Sequence, residues 1–169
     1  RSLMELLQMG GIDISLTSVA KIEKPIRWEP LIVEPLFVTL PANHPLADAK
    51  NISILELANE NFIVLKSGFT LRTISDSIFE TLQMAPAISF EGEEISTISS
   101  FIEAGLGVAI LPKIKHNRAI QNLVQIPISD NNIIVERAIG ICWNEECVQT
   151  KLMQEVRESL HNYFAQFNH

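Results

Sequence analysis

The sequence predicts an α/β fold built on a parallel sheet, and three observations carry the prediction. The stretch FEGEEISTISSFIEAGLGVAILP, residues 90–112, ends one strand, runs through a helix and opens another strand. Earlier, the buried apolar run Phe62, Ile63, Val64, Leu65 leads through SGFT directly into a second amphipathic helix. The chain has 169 residues and 47% hydrophobic content, enough for a real core in one domain or two small lobes. A fully apolar strand reached through a helix implies a sheet covered on both faces, joined by a right-handed crossover.

The elements follow in order. Leu3, Leu6 and Leu7 share one helical face that Gly10 and Gly11 terminate, and Ile12, Asp13, Ile14, Ser15, Leu16 then alternate as a strand. That helix shows no N-cap and no first turns, so residues upstream are expected to belong to the same fold. Thr17 and Ser18 read as turn residues. Residues 31–40 form an extended apolar segment interrupted by Pro35, which suits an edge or a hinge. The loop PANHPLADAK hands over to a short helix at residues 54–59, and His44 within it reads as structural, since no nucleophile is paired with it.

After the strand at residues 62–65, Leu71, Ile74, Ile78 and Leu82 mark one face of a helix with Thr70 as its N-cap. Ala87, Ile88 and Phe90 form the next strand. It stops at Glu91, Gly92, Glu93, Glu94, after which Ile95, Ile98, Phe101 and Ile102 recur at helical spacing. Gly105 supplies the helix stop, and Val108, Ala109, Ile110, Leu111 form a buried strand with Pro112 as breaker. A polar helix is expected at residues 113–119, a strand at 123–126, a turn at 129–132 and a strand at 133–143. Asn144 reads as the N-cap of the last helix, with Glu145 and Glu146 at its positive end and Cys147 inside it. Val148, Leu152, Val156, Leu160 and Phe164, widened by Tyr163 and Phe167, form a stripe expected to face the core.

Composition removes several function classes. The net charge is -7, from 20 acidic and 13 basic residues with no dense Lys/Arg stripe, which argues against this chain gripping a phosphate backbone by itself. No run of 18 or more apolar residues is present, so no membrane span is expected. Cys142 and Cys147 have neither zinc-site nor redox-motif spacing; they read as ordinary thiols, which fits a reducing compartment.

No catalytic constellation stands out. Gly105, Leu106, Gly107 is half of a G-x-G-x-x-G and ends a helix instead of opening one. His44, His116, His161 and His169 show no metal spacing, and Ser67-Gly68 lacks the G-x-S-x-G elbow. Glu91, Glu93 and Glu94 read as an acidic helix cap in preference to a hard-metal cluster. In a parallel sheet, the loop Ser67, Gly68, Phe69, Thr70 lies at the carboxyl ends of the strands, and the free N–H groups of the following helix favour an anion there. An ordinary turn and cap explains these residues equally well.

The series GGIDISL, PLFVTLPANHPLA, ISILELANENFIVL, SGFTLR and ISFEGEEISTISSFIEAGLGVAILP, in this order and spacing, closely resembles the effector-binding domain of LysR-type transcriptional regulators. The resemblance runs from Leu3 to about Phe164. It implies a two-lobed fold like the type 2 periplasmic binding proteins, with two α/β lobes closing on a small molecule. Residues 36–137 would form the second lobe, and residues 1–35 with 138–169 the remainder of the first, whose opening strand, helix and strand are missing along with the helix-turn-helix. DNA would therefore be contacted only through that absent domain.

By the same resemblance, the ligand-binding residues would be Thr17, after the DI-x-L strand, and Ser67, Gly68, Phe69 and Thr70. The effector would be a small anionic molecule in the inter-lobe cleft, with no cofactor, no metal and no catalysis, in a cytoplasmic protein. The intact protein would be a homodimer or homotetramer paired through residues 71–91, leaving the apolar face of Ile78, Phe79 and Phe90 exposed or repacked here. A solute-binding protein of a transport system shares the fold and is the alternative. An enzyme of this architecture is the less favoured reading.

Overall fold

The structure is a computed structural model that describes residues 3–18, 22–114 and 122–167. Its contacts separate into two units, Arg1–Glu34 with Ala138–His169, and Pro35–Arg137.

The second unit holds the larger core. Strand β2 (Ile26–Pro41) enters it and pairs antiparallel with β5 (Ala109–Pro112), Leu36 opposite Pro112, and with β6 (Leu123–Pro127), Pro41 opposite Leu123. Strands β3 (Asn61–Leu65) and β4 (Ala87–Gly92) pair in parallel, and a parallel bridge joins Phe62 to Val108 just before β5. Strand pairing in this unit is therefore mixed and not purely parallel: β3 and β4, consecutive strands joined through a helix, run parallel, while β5 and β6, far from β2 in sequence, return antiparallel to it. β2 runs as one strand through Pro35. Ladder pairing with β5 begins at the next residue, Leu36, so the missing proline donor falls where β2 changes neighbours.

Two helices connect these strands. Helix α2 (Thr70–Thr81) buries Leu71, Ser75, Ile78 and Phe79, and α3 (Ile95–Glu103) buries Ile98, Ser99 and Ile102. The Leu106 N–H returns to the Phe101 carbonyl at 3.1 Å, which closes α3 at Gly105 as the sequence predicts. Ile78 and Phe79 are 2% and 5% exposed, and Phe79 meets Phe62 edge-on at 5.0 Å. These two residues are core and not an uncovered face. Ile88 and Phe90 on β4 are the exposed ones, because β4 pairs with β3 alone among the described strands.

A 3-10 turn (Ile54–Leu57) stands where a short helix is expected, and its capping reaches across the unit. Ser53 and Glu56 form a capping box, while Asp130 accepts from Ser53 Oγ at 2.7 Å and from the Ile54 N–H at 2.8 Å. Asp130→Ala removes both bonds and leaves the Ile54 donor bare. A loss of about 1–2 kcal/mol in thermal unfolding is expected, and no loss would show that water substitutes for the carboxylate. His44 Nδ1 accepts the Leu46 N–H at 3.1 Å, and Nε2 lies 3.4 Å from Glu60 Oε1. This is the structural loop role the sequence suggests. The expected polar helix at 113–119 lies almost wholly outside the described residues.

In the first unit, α1 (Leu3–Gln8) leads to β1 (Ile14–Thr17), antiparallel to β7 (Glu136–Asn144), which lies between β1 and β2. Successive residues of β7 serve opposite faces. Cys142 packs with Leu7 and Ile26 under α1, while Ile141 and Trp143 pack with Leu31 against Leu160 and Phe164 of α4 (Lys151–Ala165). Burial pushes the Cys142 thiol up to about 11, so it stays protonated as a packing group.

Three expectations fail in this unit. Asn144 does not cap α4. It is buried at the end of β7, where Nδ2 donates to the Leu7 and Gln8 carbonyls at 3.3 Å each, satisfying the end of α1. Thr150 is the cap, its Oγ1 accepting the Met153 N–H at 3.2 Å, so Cys147 lies in the preceding turn. The α4 stripe does not face the core along its length. Leu152 is 69% exposed, Val148, Val156 and Tyr163 are also exposed, and only Leu160, Phe164 and the off-stripe Met153 pack inward.

Candidate functional site

Two parallel strands position the candidate loop of the second unit. Leu65 ends β3 opposite Gly92, which ends β4, so the loops at 66–69 and 93–94 leave the same edge of the sheet side by side. The Lys66 N–H continues the ladder onto the Gly92 carbonyl at 2.8 Å. Each loop then opens a helix, which brings the amino ends of α2 and α3 to that edge, the usual ligand position of an open α/β sheet.

Ser67, Gly68, Phe69 and Thr70 are contiguous here. Gly68 has φ +95° and no heavy atom within 4 Å of where a Cβ would stand. The Phe69 N–H reaches the Lys66 carbonyl at 3.3 Å, a tight turn whose third position needs positive φ. That turn moves the cap by one residue from the sequence expectation. Phe69 takes the extended N-cap conformation, φ -88° and ψ 139°, and its carbonyl accepts from Arg72 and Thr73 at 3.0 and 3.2 Å. Thr70 is already helical, and the N-cap contributes no side-chain bond. Ser67 and Phe69 are exposed and Thr70 is half-buried.

Thr17 stands in the first unit as the last residue of β1. Its Oγ1 donates to the Ser18 carbonyl at 3.2 Å, and its own carbonyl accepts from Trp28 Nε1 at 3.4 Å.

The charges around loop 66–70 form two ion-pair groups that sequence reasoning missed. Lys66 Nζ lies 2.7 Å from Glu93 Oε1. Glu93 holds the Lys66 ammonium above its ordinary pKa, and Lys66 in turn holds the Glu93 carboxyl below its own. Arg72 Nε spans Asp76 at 2.9 and 3.0 Å, while Nη1 reaches Glu91 and the Leu65 carbonyl, the latter at 3.2 Å. The hydrogen bonds that Arg72 donates to Glu91 and Asp76 raise its pKa, and the guanidinium remains charged at any working pH. The i,i+4 spacing of Arg72 and Asp76 is legible in the sequence. The cross-strand partners are not, because they depend on the β3–β4 register.

Glu91 and Glu93 therefore neutralise cations and do not form the α3 cap that the sequence suggests. Glu94 occupies the N-cap but makes no side-chain cap bond, and Ser96 Oγ donates to its Oε2 at 3.1 Å. Among the described residues no group of three His, Cys, Asp or Glu could hold a metal ion, and no helix is long and apolar enough to cross a membrane. A separate cavity of about 330 Å³ lies between Ala47, Lys113 and β6. Gln125 on its wall is committed to the Ile114 N–H, Thr39 Oγ1 and the Pro112 carbonyl, so it offers little to a ligand.

Comparison with known proteins agrees with this architecture. Residues 1–165 match the LysR substrate binding domain family. The uncharacterized HTH-type transcriptional regulator YybE of Bacillus subtilis (strain 168) is 38% identical over 161 residues, covering 95% of this chain and 53% of that protein. The transcriptional dual regulator GltC of the same organism is 30% identical over 141 residues, 82% of this chain and 46% of that one. The chain thus spans about half the length of these curated relatives. Among solved structures, the effector binding domain of QuiR in complex with shikimate superposes with a TM-score of 0.86 at 23% identity, covering 99% of this chain and 78% of that one. The BenM effector binding domain with its effector benzoate gives 0.79 at 21% identity, covering 97% and 74%. Those identities speak for the fold, of the type 2 periplasmic-binding-protein kind, while the match over residues 1–165 speaks for descent: this chain belongs to the LysR substrate binding domain family.

Proposed function

We propose that this chain is the effector-sensing part of a LysR-type transcriptional regulator. The observation that carries the reading is the family match over residues 1–165, since the relatives that share it are named as transcriptional regulators. The division of labour is residues 36–137 as one effector-binding lobe and residues 1–35 with 138–169 as part of the other. The site proposed in the second lobe is Ser67, Gly68, Phe69 and Thr70, supported by their place at the carboxyl ends of β3 and β4 beside two helix amino ends. Thr17 is a further proposed ligand contact that rests on the family resemblance.

The effector is a small molecule with an anionic group. It acts by differential affinity for two arrangements of a homodimer or homotetramer, which is the only way a ligand can bias such an equilibrium. DNA is contacted by a helix-turn-helix outside residues 1–169, the protein works in the cytoplasm, and the domain has no catalytic role. The helix-turn-helix draws on the name of the relative YybE, and the small-molecule effector on two structural neighbours of this chain, one solved with shikimate and the other with benzoate.

Thr70→Leu in the intact regulator places a branched apolar group at the mouth of the loop while leaving a good helix former at the first position of α2. Titration calorimetry with a panel of small carboxylates is expected to show affinity lowered about tenfold, the worth of one lost polar contact, ~1.4 kcal/mol. Unchanged affinity for a ligand that binds the parent protein would move the site elsewhere.

A further inference from the structure

The two cations beside loop 66–70 differ in how firmly the protein holds them. The Arg72 side chain is 18% exposed and shared among Asp76, Glu91 and the Leu65 carbonyl, so freeing it breaks contacts to α2, β3 and β4 together. The Lys66 side chain is 52% exposed and its partner Glu93 64%, with 2.7 Å between them. An ion pair between two solvated side chains gains little over water and exchanges readily. The parallel register sets these two residues next to each other, one position past the Leu65–Gly92 pair, and Lys66 immediately precedes Ser67. The neighbouring carboxylates have other partners, Glu91 on Arg72 and Glu94 on the Ser96 hydroxyl.

We infer that Lys66 is the anion-recognising residue of this site and that Glu93 is its resident competitor, so that an anionic effector binds by taking the place of the Glu93 carboxylate on the Lys66 ammonium. The inference rests on the reading of loop 66–70 as an effector contact. The exchange swaps one ammonium–carboxylate contact for another and makes or breaks no covalent bond. It confers selectivity: a neutral analogue cannot compete with a carboxylate for an ammonium, whereas an anion of matching shape can, aided by the amino end of α2. Arg72 has no part in the exchange and serves to hold α2 against the two strands.

Sulfate, which stays doubly charged across the working pH range, is a suitable probe. It is titrated into the protein at constant ionic strength while the backbone amide resonances of residues 66–71 are followed. Glu93→Gln is expected to tighten sulfate binding about threefold to fivefold, the upper range for a surface ion pair. Lys66→Met is expected to weaken it by a similar factor, and Lys66→Met with Glu93→Gln to match Lys66→Met alone. A gain from Glu93→Gln that persists without Lys66 reports net charge only and overturns the exchange, as does no gain at all. If the amides of residues 66–71 shift with sulfate but are indifferent to Glu93, the exchange falls and the effector-contact reading stands. If they shift in none of the proteins, both fall. Both side chains are exposed, so unchanged resonances elsewhere show that each variant is folded.

Discussion

Gly107→Ala is expected to destabilise the second unit by about 3 kcal/mol or more, since overpacking against backbone has no flexible side chain to yield. A Cβ at residue 107 would run into the Asn61 carbonyl group and stand 3.1 Å from Ile63 Cγ1, at a φ of +157°. The collision falls where β3 is joined to the start of β5. The Val108 N–H bonds the Asn61 carbonyl at 2.9 Å, and the Ile63 N–H bonds the Val108 carbonyl at 2.8 Å. Pushing the two strands apart lengthens both bonds, so hydrogen exchange at Ile63 and Val108 should accelerate along with the fall in the urea midpoint. Gly105→Ala is the control. Its φ is +75° but no atom lies within 4 Å of the added carbon, so it costs about 1 kcal/mol of backbone strain alone. Equal losses for the two variants would show that close approach at Gly107 is not what selects glycine there.

Phe62→Ala is expected to cost about 3–5 kcal/mol, the range for deleting a fully buried phenyl group. Phe62 is 1% exposed and sits at the crossing of β3 with α2, meeting Phe79 edge-on at 5.0 Å. Its loss removes the transfer term and the aromatic contact and leaves a cavity that two flanking helices cannot both close. Phe62→Leu, which keeps most of the volume, should recover more than half of the loss. The experiment also bears on the site. β3 carries Leu65 and Lys66 to the sheet edge, so any loosening of the strand should appear at the amides of residues 66–70 before global unfolding. A variant that loses stability without disturbing those amides would mean that Arg72, bonded to the Leu65 carbonyl, anchors the loop independently.

Local order was largely legible from the chain. Helices α2 and α3 lie where their apolar spacing puts them, Gly105 stops α3, and β3 and β4 come out parallel because a helix separates them. The family, too, was legible, since five motifs in register carry more information than any one of them. The proposed site was legible only as a loop. That Ser67 to Thr70 opens a helix follows from sequence, but the cap fell on Phe69 because a positive φ at Gly68 turns the chain one residue earlier. Lys66, Glu91 and Glu93 had no readable partners, since side chains 19 to 27 residues apart meet only once two strands adopt a common register.

Periodicity, glycine and proline placement and motif order are local properties, and by themselves they determined helices α2 and α3, the stop at Gly105, the α/β class and the LysR relationship. Which apolar face is covered is not local. The α4 stripe has the spacing of a core helix, yet Leu152 and Val156 are exposed while Leu160 and Phe164 are packed, because burial depends on neighbours brought by β2 and β7. Asn144 has the composition of a helix cap and serves a different helix, α1, because the end of β7 brings it beside the Leu7 and Gln8 carbonyls. The carboxylates at 91–94 read as caps, and tertiary structure made two of them counter-ions, because a charge gains more from an opposite charge at hydrogen-bond distance than from the partial charge of a helix end.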